Sequence, residues 1–307
     1  AFDDWYWKAQ IQFNGNTSTL GSSPKLVDLF IEWQKYDFLR VKAGQFKNPF
    51  TYENPMHPID QGFMSYSQVI SKFAGFSDRA GAHSSNGRDI GVQLQGDFLK
   101  NASGRNLIHY QVGVFNGQGI NVKDVDQQKN IIGGAWVMPV EGMRLGAFGW
   151  IGSYARKGTS ASEGITNTTL RRLQQRRYAF SAEYKVDDWT FRSEYVHSTG
   201  YAFAKAMVNT NDASAKDITL SSNGDKSQGV YALVIAPIIK KKCHAKARYD
   251  MYQPSKGAEK QRTQYEIGLD YYFNKNICLT GEYAYIHDRA LADPNYSMID
   301  VELSYRF

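Results

Sequence analysis

Basic side chains are concentrated in and beside one long segment of the sequence, residues 47–88. Six of them could meet an anion: Lys47, Lys72, Arg79 and Arg88 within the segment, and Arg40 and Lys42 on the stretch before it. Arginine binds oxyanions through two parallel N–H groups, whereas lysine acts as a point charge. If these groups line a narrow passage with a low-dielectric wall, their field is focused on a passing anion.

Acidic residues accompany these bases. Glu53, Asp60 and Asp78 lie in the same segment, so its four bases and three acids leave a net charge of only +1. Opposite charges on neighbouring strands commonly form ion pairs that stabilise a sheet. The sequence therefore leaves two interpretations of each basic residue open, an anion contact or a structural ion pair.

The long segment separates two stretches that alternate strictly between apolar and polar residues, Leu39–Phe46 and Asp89–Phe98. Such alternation predicts strands with one apolar and one polar face. A connection of about forty residues is far longer than an ordinary hairpin loop, which predicts a functional segment, a disordered one or a lid. Apolar residues recur at helical spacing from Phe63 to Phe73, and Gly75 predicts a helix end. We predict that residues 47–88 fold inward at the mouth of a pore.

Fourteen segments with this alternation are spread along the chain. In the last one, Val301 and Leu303 share one face, while Asp300 and Glu302 share the other. Short connections alternate with long ones, and the long ones fall at 14–24, 47–88, 116–128, 157–174, 198–226, 254–261 and 288–297. Short turns at one end and long loops at the other are typical of outer-membrane barrels, whose long loops are extracellular.

Composition agrees with a membrane barrel. Aromatic residues make up 14% of the 307 residues and glycine occurs 27 times, while the mean hydropathy of −0.50 fits a polar lumen. No apolar run is long enough for a transmembrane helix. Cys243 and Cys278 lie on predicted strands with another strand between them, too far apart for a disulfide. A net charge of +6 is modest for this length and does not indicate a nucleic-acid partner.

The predicted fold is all-β. We expect one transmembrane antiparallel β-barrel domain over residues 1–307, located in the bacterial outer membrane, with 14 strands and a long loop folded into the lumen.

Three sequence blocks resemble the phosphate-selective porin O and P family, in its Bacteroidetes-type form: Gly44–Phe50, Asn86–Val92 and Gly113–Gly117. Tyr271–Asn276 near the end also fits. The resemblance implies a sixteen-stranded homotrimeric barrel whose third loop folds inward as the constriction. Because Trp5–Phe13 looks like the third strand of that family, the count becomes 16 if an N-terminal hairpin is missing from this sequence.

The densest basic cluster contains Arg171, Arg172, Arg176 and Arg177. We expect it at the top of an extracellular loop, where it could gather anions or bind lipopolysaccharide phosphates. The alternative is a solvated loop face.

Together these observations predict a porin for the passive diffusion of small hydrophilic solutes, with a preference for phosphate-like anions. One alternative is a non-conducting structural or adhesion barrel with a plugged lumen, and another is an outer-membrane hydrolase. Enzyme signals are weak, since the sequence contains neither HExxH nor GxSxG. We expect no enzyme activity, cofactor or metal, and we expect membrane lipid and lipopolysaccharide to be the surroundings.

Overall fold

The computed structural model describes residues 3–13, 24–80, 86–160, 165–200, 202, 214–215 and 226–306. At 156–160, 165–169 and 214–215 it describes the backbone alone. Fifteen strands are present in this part of the chain: β1 Trp5–Gln12, β2 Lys25–Tyr36, β3 Leu39–Lys47, β4 Arg88–Lys100, β5 Asn106–Phe115, β6 Asn130–Val137, β7 Met143–Ser160, β8 Ile165–Val186, β9 Trp189–Thr199, β10 Ser214–Ala215, β11 Lys226–Ile239, β12 Cys243–Gln253, β13 Arg262–Tyr272, β14 Ile277–Asp288 and β15 Asn295–Tyr305.

Strand pairing follows the order of the chain. Each strand is antiparallel to the next along one path from β1 to β15, apart from the two-residue β10, which pairs in parallel with β7. Without β10 the path contains fourteen strands, which confirms the number counted from the alternation. This up-and-down order is what short hairpin connections between successive strands produce.

The faces of the sheet are inverted relative to a soluble protein. On β12, Lys246, Arg248 and Asp250 are buried, while Tyr249 between them is exposed. On β15, the apolar residues Ile299 and Val301 are 76% and 71% exposed. Charged residues therefore lie on the inner face and apolar residues lie on the outer face, as a membrane barrel requires.

Helix is nearly absent from the described residues. The α-helix α1 spans Gln68–Phe73, and Pro58–Asp60 and Ala258–Lys260 form single 3-10 turns. No helix in this part of the chain is long and apolar enough to cross a membrane.

The helix is shorter than the apolar spacing predicts. The side chain of Ser67 caps its start by accepting the N–H of Ile70 at 3.3 Å. It ends at Phe73 because Gly75 takes a φ of +97°, which lies outside the helical region. Phe63 and Tyr66 consequently lie in the irregular chain before it.

The long connection predicted at 157–174 is wrong. Strand β7 continues to Ser160 and β8 begins at Ile165, so the two strands form one extended hairpin. Their pairing runs as far as Ser160 opposite Ile165. Polar sequence misled the interpretation at this point, because a strand beyond the membrane can be polar on both faces.

Candidate functional site

The inner loop, residues 48–87, connects β3 to β4 and is described at 48–80 and 86–87. Its two ends meet, since the N–H of Asn48 donates to the carbonyl of Gly87 at 2.9 Å. The amide of Asn54 donates to the same carbonyl and to that of Asn48. Gly87 has a φ of +68°, and a Cβ there would lie 2.0 Å from Oδ1 of Asn54, so the closure requires glycine.

Apolar side chains of the inner loop are buried among the wall strands. Phe50, Val69, Ile70 and Phe73 have no exposed surface. The ring of Phe50 packs edge-on against Trp150 of β7 at 5.6 Å between centroids. Burial of this extent fixes the loop against the inner face, at roughly 1.5–3 kcal/mol for each large side chain removed from water.

Carboxylates of the wall accept hydrogen bonds from backbone N–H groups of the loop. Glu194 of β9 accepts from Tyr52 at 2.7 Å and from Glu53 at 2.9 Å. Two further wall carboxylates do the same: Asp250 accepts from Gln68 at 2.7 Å, and Glu282 accepts from Met64 at 3.1 Å. An irregular buried segment must find partners for its backbone, and charged acceptors give stronger bonds than neutral ones.

Cations of the wall bind the carbonyls of the same loop. Arg192 donates to Gln61 at 3.0 Å, Lys246 donates to Gly62 at 2.8 Å, and Arg248 donates to Ser65 at 2.9 Å, all at backbone oxygens. Between residues 52 and 68, carboxylates of the wall thus bind N–H groups of the loop backbone and cations of the wall bind its carbonyls. These side chains belong to strands β9, β12 and β14. This arrangement specifies one position for the loop.

Three of the six predicted anion-binding bases form ion pairs within the wall. Arg40 pairs with Asp97, Lys42 with Glu32 at 3.5 Å, and Arg88 with Asp28 at 2.6 Å. Asp28 also pairs with Lys8 at 2.8 Å. For these three bases the structure therefore shows the ion-pair interpretation that the sequence left open.

The other three bases have neutral partners in the structure. Lys47 donates to the carbonyl of Met56 at 2.6 Å, and Lys72 donates to the hydroxyl of Ser77 at 3.1 Å. Arg79 donates to Gln175 at 3.0 Å and to the carbonyl of Gly200 at 2.7 Å. Among the described residues, no carboxylate lies within 4.0 Å of the ammonium group of Lys47 or Lys72.

Partial burial lowers the pKa of Lys72 below its ordinary value of 10.5. Arg262 adds to this effect by repulsion, while Asp78 and Asp288 oppose it. The ammonium group is therefore less strongly held in its charged form than that of a solvated lysine.

The four residues of the basic cluster, Arg171, Arg172, Arg176 and Arg177, lie on strand β8 and not in a loop, and their extracellular position stays a prediction. Arg177 is buried and binds both carboxylate oxygens of Asp78 in the inner loop, at 2.7 and 2.8 Å. Alternation along β8 sends Arg176 to the exposed outer face instead. Arg172 pairs with Asp126 at 3.1 Å.

Alternation along β9 and β12 places Glu194, Asp250 and Lys246 on the polar face of the sheet, but it gives no sign of their partners. Each partner is a backbone group of the inner loop, and the backbone is the same at every residue. Only the path of the loop decides which N–H or carbonyl meets which side chain.

A cavity of about 580 Å³ lies below the inner loop. It is lined by loop residues from Met56 to Met64 and by the ends of strands that carry the short turns, including Asp188 and Asn276. The space contains charged, hydroxyl and apolar groups, and it faces the turn side of the sheet.

The fold and this site define a class. An antiparallel sheet with polar inner face, apolar outer face and a loop folded onto the inner face is the architecture of an outer-membrane β-barrel porin. The family model of phosphate-selective porin O and P matches residues 1–127, which confirms the resemblance seen in the sequence over that part of the chain.

Solved structures agree on the fold. OmpT of Vibrio cholerae is 12% identical with a TM-score of 0.58, covering 99% of this chain and 86% of that one. The outer-membrane channel DcaP of Acinetobacter baumannii is 12% identical with a TM-score of 0.59, covering 99% and 80%. A BenF-like porin from Pseudomonas fluorescens Pf-5 is 11% identical with a TM-score of 0.51, covering 99% and 75%.

No curated protein sequence matches the chain. The family match over residues 1–127 and the solved structures nevertheless agree, and the chain has the fold of the porins of the bacterial outer membrane.

Proposed function

We propose that this porin admits small hydrophilic solutes by passive diffusion and favours anions. The observation that carries this proposal is that two acids of the inner loop are buried while two lysines on and beside it are only partly buried. The third acid of the loop, Asp60, is exposed but pairs with Arg306 at 3.6 Å. Glu53 is 1% exposed and Asp78 is 6% exposed, whereas Lys47 and Lys72 are only partly buried. The described residues provide no carboxylate within 4.0 Å of either lysine.

Charge that is sequestered acts weakly on a passing ion. Asp78 is neutralised by Arg177, and Glu53 accepts the N–H and hydroxyl of Ser67. Lys47 and Lys72 keep their charge next to the path, where a low-dielectric surrounding strengthens their field. The excess of exposed positive charge over exposed negative charge is small, and most wall charges are paired. We therefore expect a weak anion preference rather than strict selection for phosphate.

Planar-bilayer recording tests this proposal. Purified protein should give stepwise channels whose reversal potential in a KCl gradient is biased toward chloride. Phosphate in place of chloride should reduce the current without abolishing it. A cation-biased reversal potential would contradict the proposed preference.

A plugged, non-conducting barrel is the second candidate. It is favoured by the complete burial of Phe50, Ile70 and Phe73 where the loop packs on the wall. The absence of channel currents in the bilayer, for protein that circular dichroism shows to be folded, would support this candidate. Glu194→Ala should then open channels, because it removes the acceptor that holds Tyr52 and Glu53.

We also propose a single domain over residues 1–307 and a homotrimer surrounded by lipid and lipopolysaccharide. Support comes from the continuous strand order and from the family resemblance. The mass of the complex in native mass spectrometry tests the trimer.

A further inference from the structure

The cavity below the inner loop has a positive end. Arg144 of β7, Lys185 of β8 and Arg192 of β9 all approach the single carboxylate of Glu183, at 3.0, 3.6 and 2.7 Å. Three cations and one carboxylate leave a local charge of +2 at neutral pH. Arg144 and Lys185 line the cavity. The side chain of Lys185 is 50% exposed and can therefore meet a solute.

The cavity also has a negative end, on strands that lie further along the sheet. Lys246 of β12 lies between Asp270 and Glu282, at 2.8 and 2.7 Å, so this group carries a charge of −1. Glu302 of β15 is exposed, lines the same cavity and has no cation within 4.0 Å among the described residues.

The remaining charges of the lining do not cancel this separation. Arg306 is matched by Asp60 of the inner loop at 3.6 Å. Lys275 and Asp188, on two of the short turns, contribute one charge of each sign at the mouth. The positive end on β7–β9 and the negative end on β12–β15 therefore face a common space with three strands between β8 and β13 in the sheet.

An apolar surface completes the cavity. The inner loop contributes Met56, Ile59, Phe63 and Met64 to its lining. Ile59 is 47% exposed, although it lies inside the sheet. A solute that covered this surface would gain from removing it from water.

We propose that this cavity binds small zwitterionic solutes with an apolar body, such as short peptides with an aliphatic side chain. The carboxylate of the solute lies near Arg144 and Lys185, its ammonium group lies near Asp270 and Glu302, and its side chain covers Ile59 and Met64. The inference rests on the proposed function, because a solute must pass the inner loop to reach the cavity from outside. The inference narrows the small hydrophilic solutes of the proposed function to those that carry one positive and one negative charge.

Isothermal titration calorimetry of the detergent-purified protein tests the inference with three probes. Glycyl-leucine carries both charges, N-acetyl-glycyl-leucine carries only the negative one, and glycyl-leucine amide carries only the positive one. Glycyl-leucine should bind about tenfold more tightly than either blocked peptide, the difference expected when one charge-assisted hydrogen bond is lost.

Two variants test which end of the cavity binds which charge of the peptide. Lys185→Gln should weaken glycyl-leucine about tenfold and leave the amide unchanged, while Glu302→Gln should weaken glycyl-leucine and leave the acetylated peptide unchanged. Lys256→Gln and Glu259→Gln are matched controls, because both residues are exposed and lie outside the cavity lining.

Equal binding of all three peptides, or equal effects of the controls, would overturn the inference. Absence of binding by any probe would do the same. Bilayer recording on the same preparation separates this failure from that of the proposed function. If channels form but glycyl-leucine neither binds to the protein nor blocks the current, the inference fails and the porin proposal stands. If glycyl-leucine binds but no channels form, only the porin proposal is contradicted.

Discussion

The backbone N–H of Glu53 donates to the carboxylate of Glu194 at 2.9 Å, although the two residues are 141 positions apart in the chain. Glu194 also accepts from the N–H of Tyr52, the hydroxyl of Ser181 and the phenol of Tyr231. One buried side chain thus connects the inner loop to three wall strands. It satisfies backbone donors that the loop cannot satisfy itself.

Replacing Glu194 with alanine should free the inner loop. The N–H groups of Tyr52 and Glu53 would lose their acceptor, at a cost of about 1–3 kcal/mol for each buried donor. We expect a lower thermal unfolding midpoint and a higher single-channel conductance. Glu259→Ala, on an exposed loop, is the control. An unchanged conductance with an intact fold would show that Glu194 does not hold the loop.

The ion pair between Asp78 and Arg177 should be strongly coupled, because both side chains are only 3% exposed. Each single alanine variant leaves the other charge buried without its partner, which costs about 3–5 kcal/mol, and the double variant should cost less than the sum. Urea unfolding in detergent measures the cycle. The exposed pair of Lys100 and Asp37 provides the comparison and should couple by about 0–1 kcal/mol. Similar coupling of the two pairs would contradict the packing described.

Neutralising Lys47, Lys72 and Arg79 together should shift the reversal potential toward cations. Lys47 and Lys72 should account for most of the shift, since no carboxylate of the described residues lies within 4.0 Å of either ammonium group. The measurement is the reversal potential in a KCl gradient, and Lys256→Gln is the control for loss of one charge elsewhere. No shift in the triple variant would remove these residues from the selectivity of the pore.

Anion preference should fall at alkaline pH. Lys72 has a lowered pKa, so it loses its proton and its positive charge at a lower pH than a solvated lysine. Reversal potentials measured from neutral pH upward should decline before pH 10.5 is reached. The same titration of Lys72→Gln should be flatter over this range. Identical curves for the two proteins would exclude Lys72 as the titrating group.

The part of the outer face that contacts lipid tails should not tolerate charge. Ile267 on β13 is 60% exposed, yet it faces the lipid, so Ile267→Lys should lower stability in the bilayer by about 2–4 kcal/mol if it lies near the midplane. Ile59→Lys is the matched control, because Ile59 is 47% exposed but lies on the inner loop in contact with the aqueous cavity. Equal effects in a vesicle unfolding assay would contradict the assignment of the two faces.

Much of the fold could be predicted from local pattern alone. Alternation such as that of Tyr249 with Arg248 and Asp250 determines which side chains face lipid, because successive residues of a strand point to opposite faces. Connections of a few residues predict hairpins at alternate pairs of successive strands, such as β2 with β3 and β4 with β5. The prediction failed at 157–174, where a strand continues beyond the membrane without an apolar face.

Tertiary structure alone determined which partner each charged side chain binds. The sequence assigned Lys47 and Arg88 to the constriction and Arg177 to a separate basic cluster, and it named a partner for none of them. The path of the inner loop brings Arg177 to Asp78 and places Lys47 at a carbonyl. Arg88, at the start of β4 where the inner loop ends, pairs with Asp28 of β2. The physical reason is range: alternation depends on neighbours two residues apart, whereas the energy of a charge depends on whatever partner the folded chain places within a few ångströms.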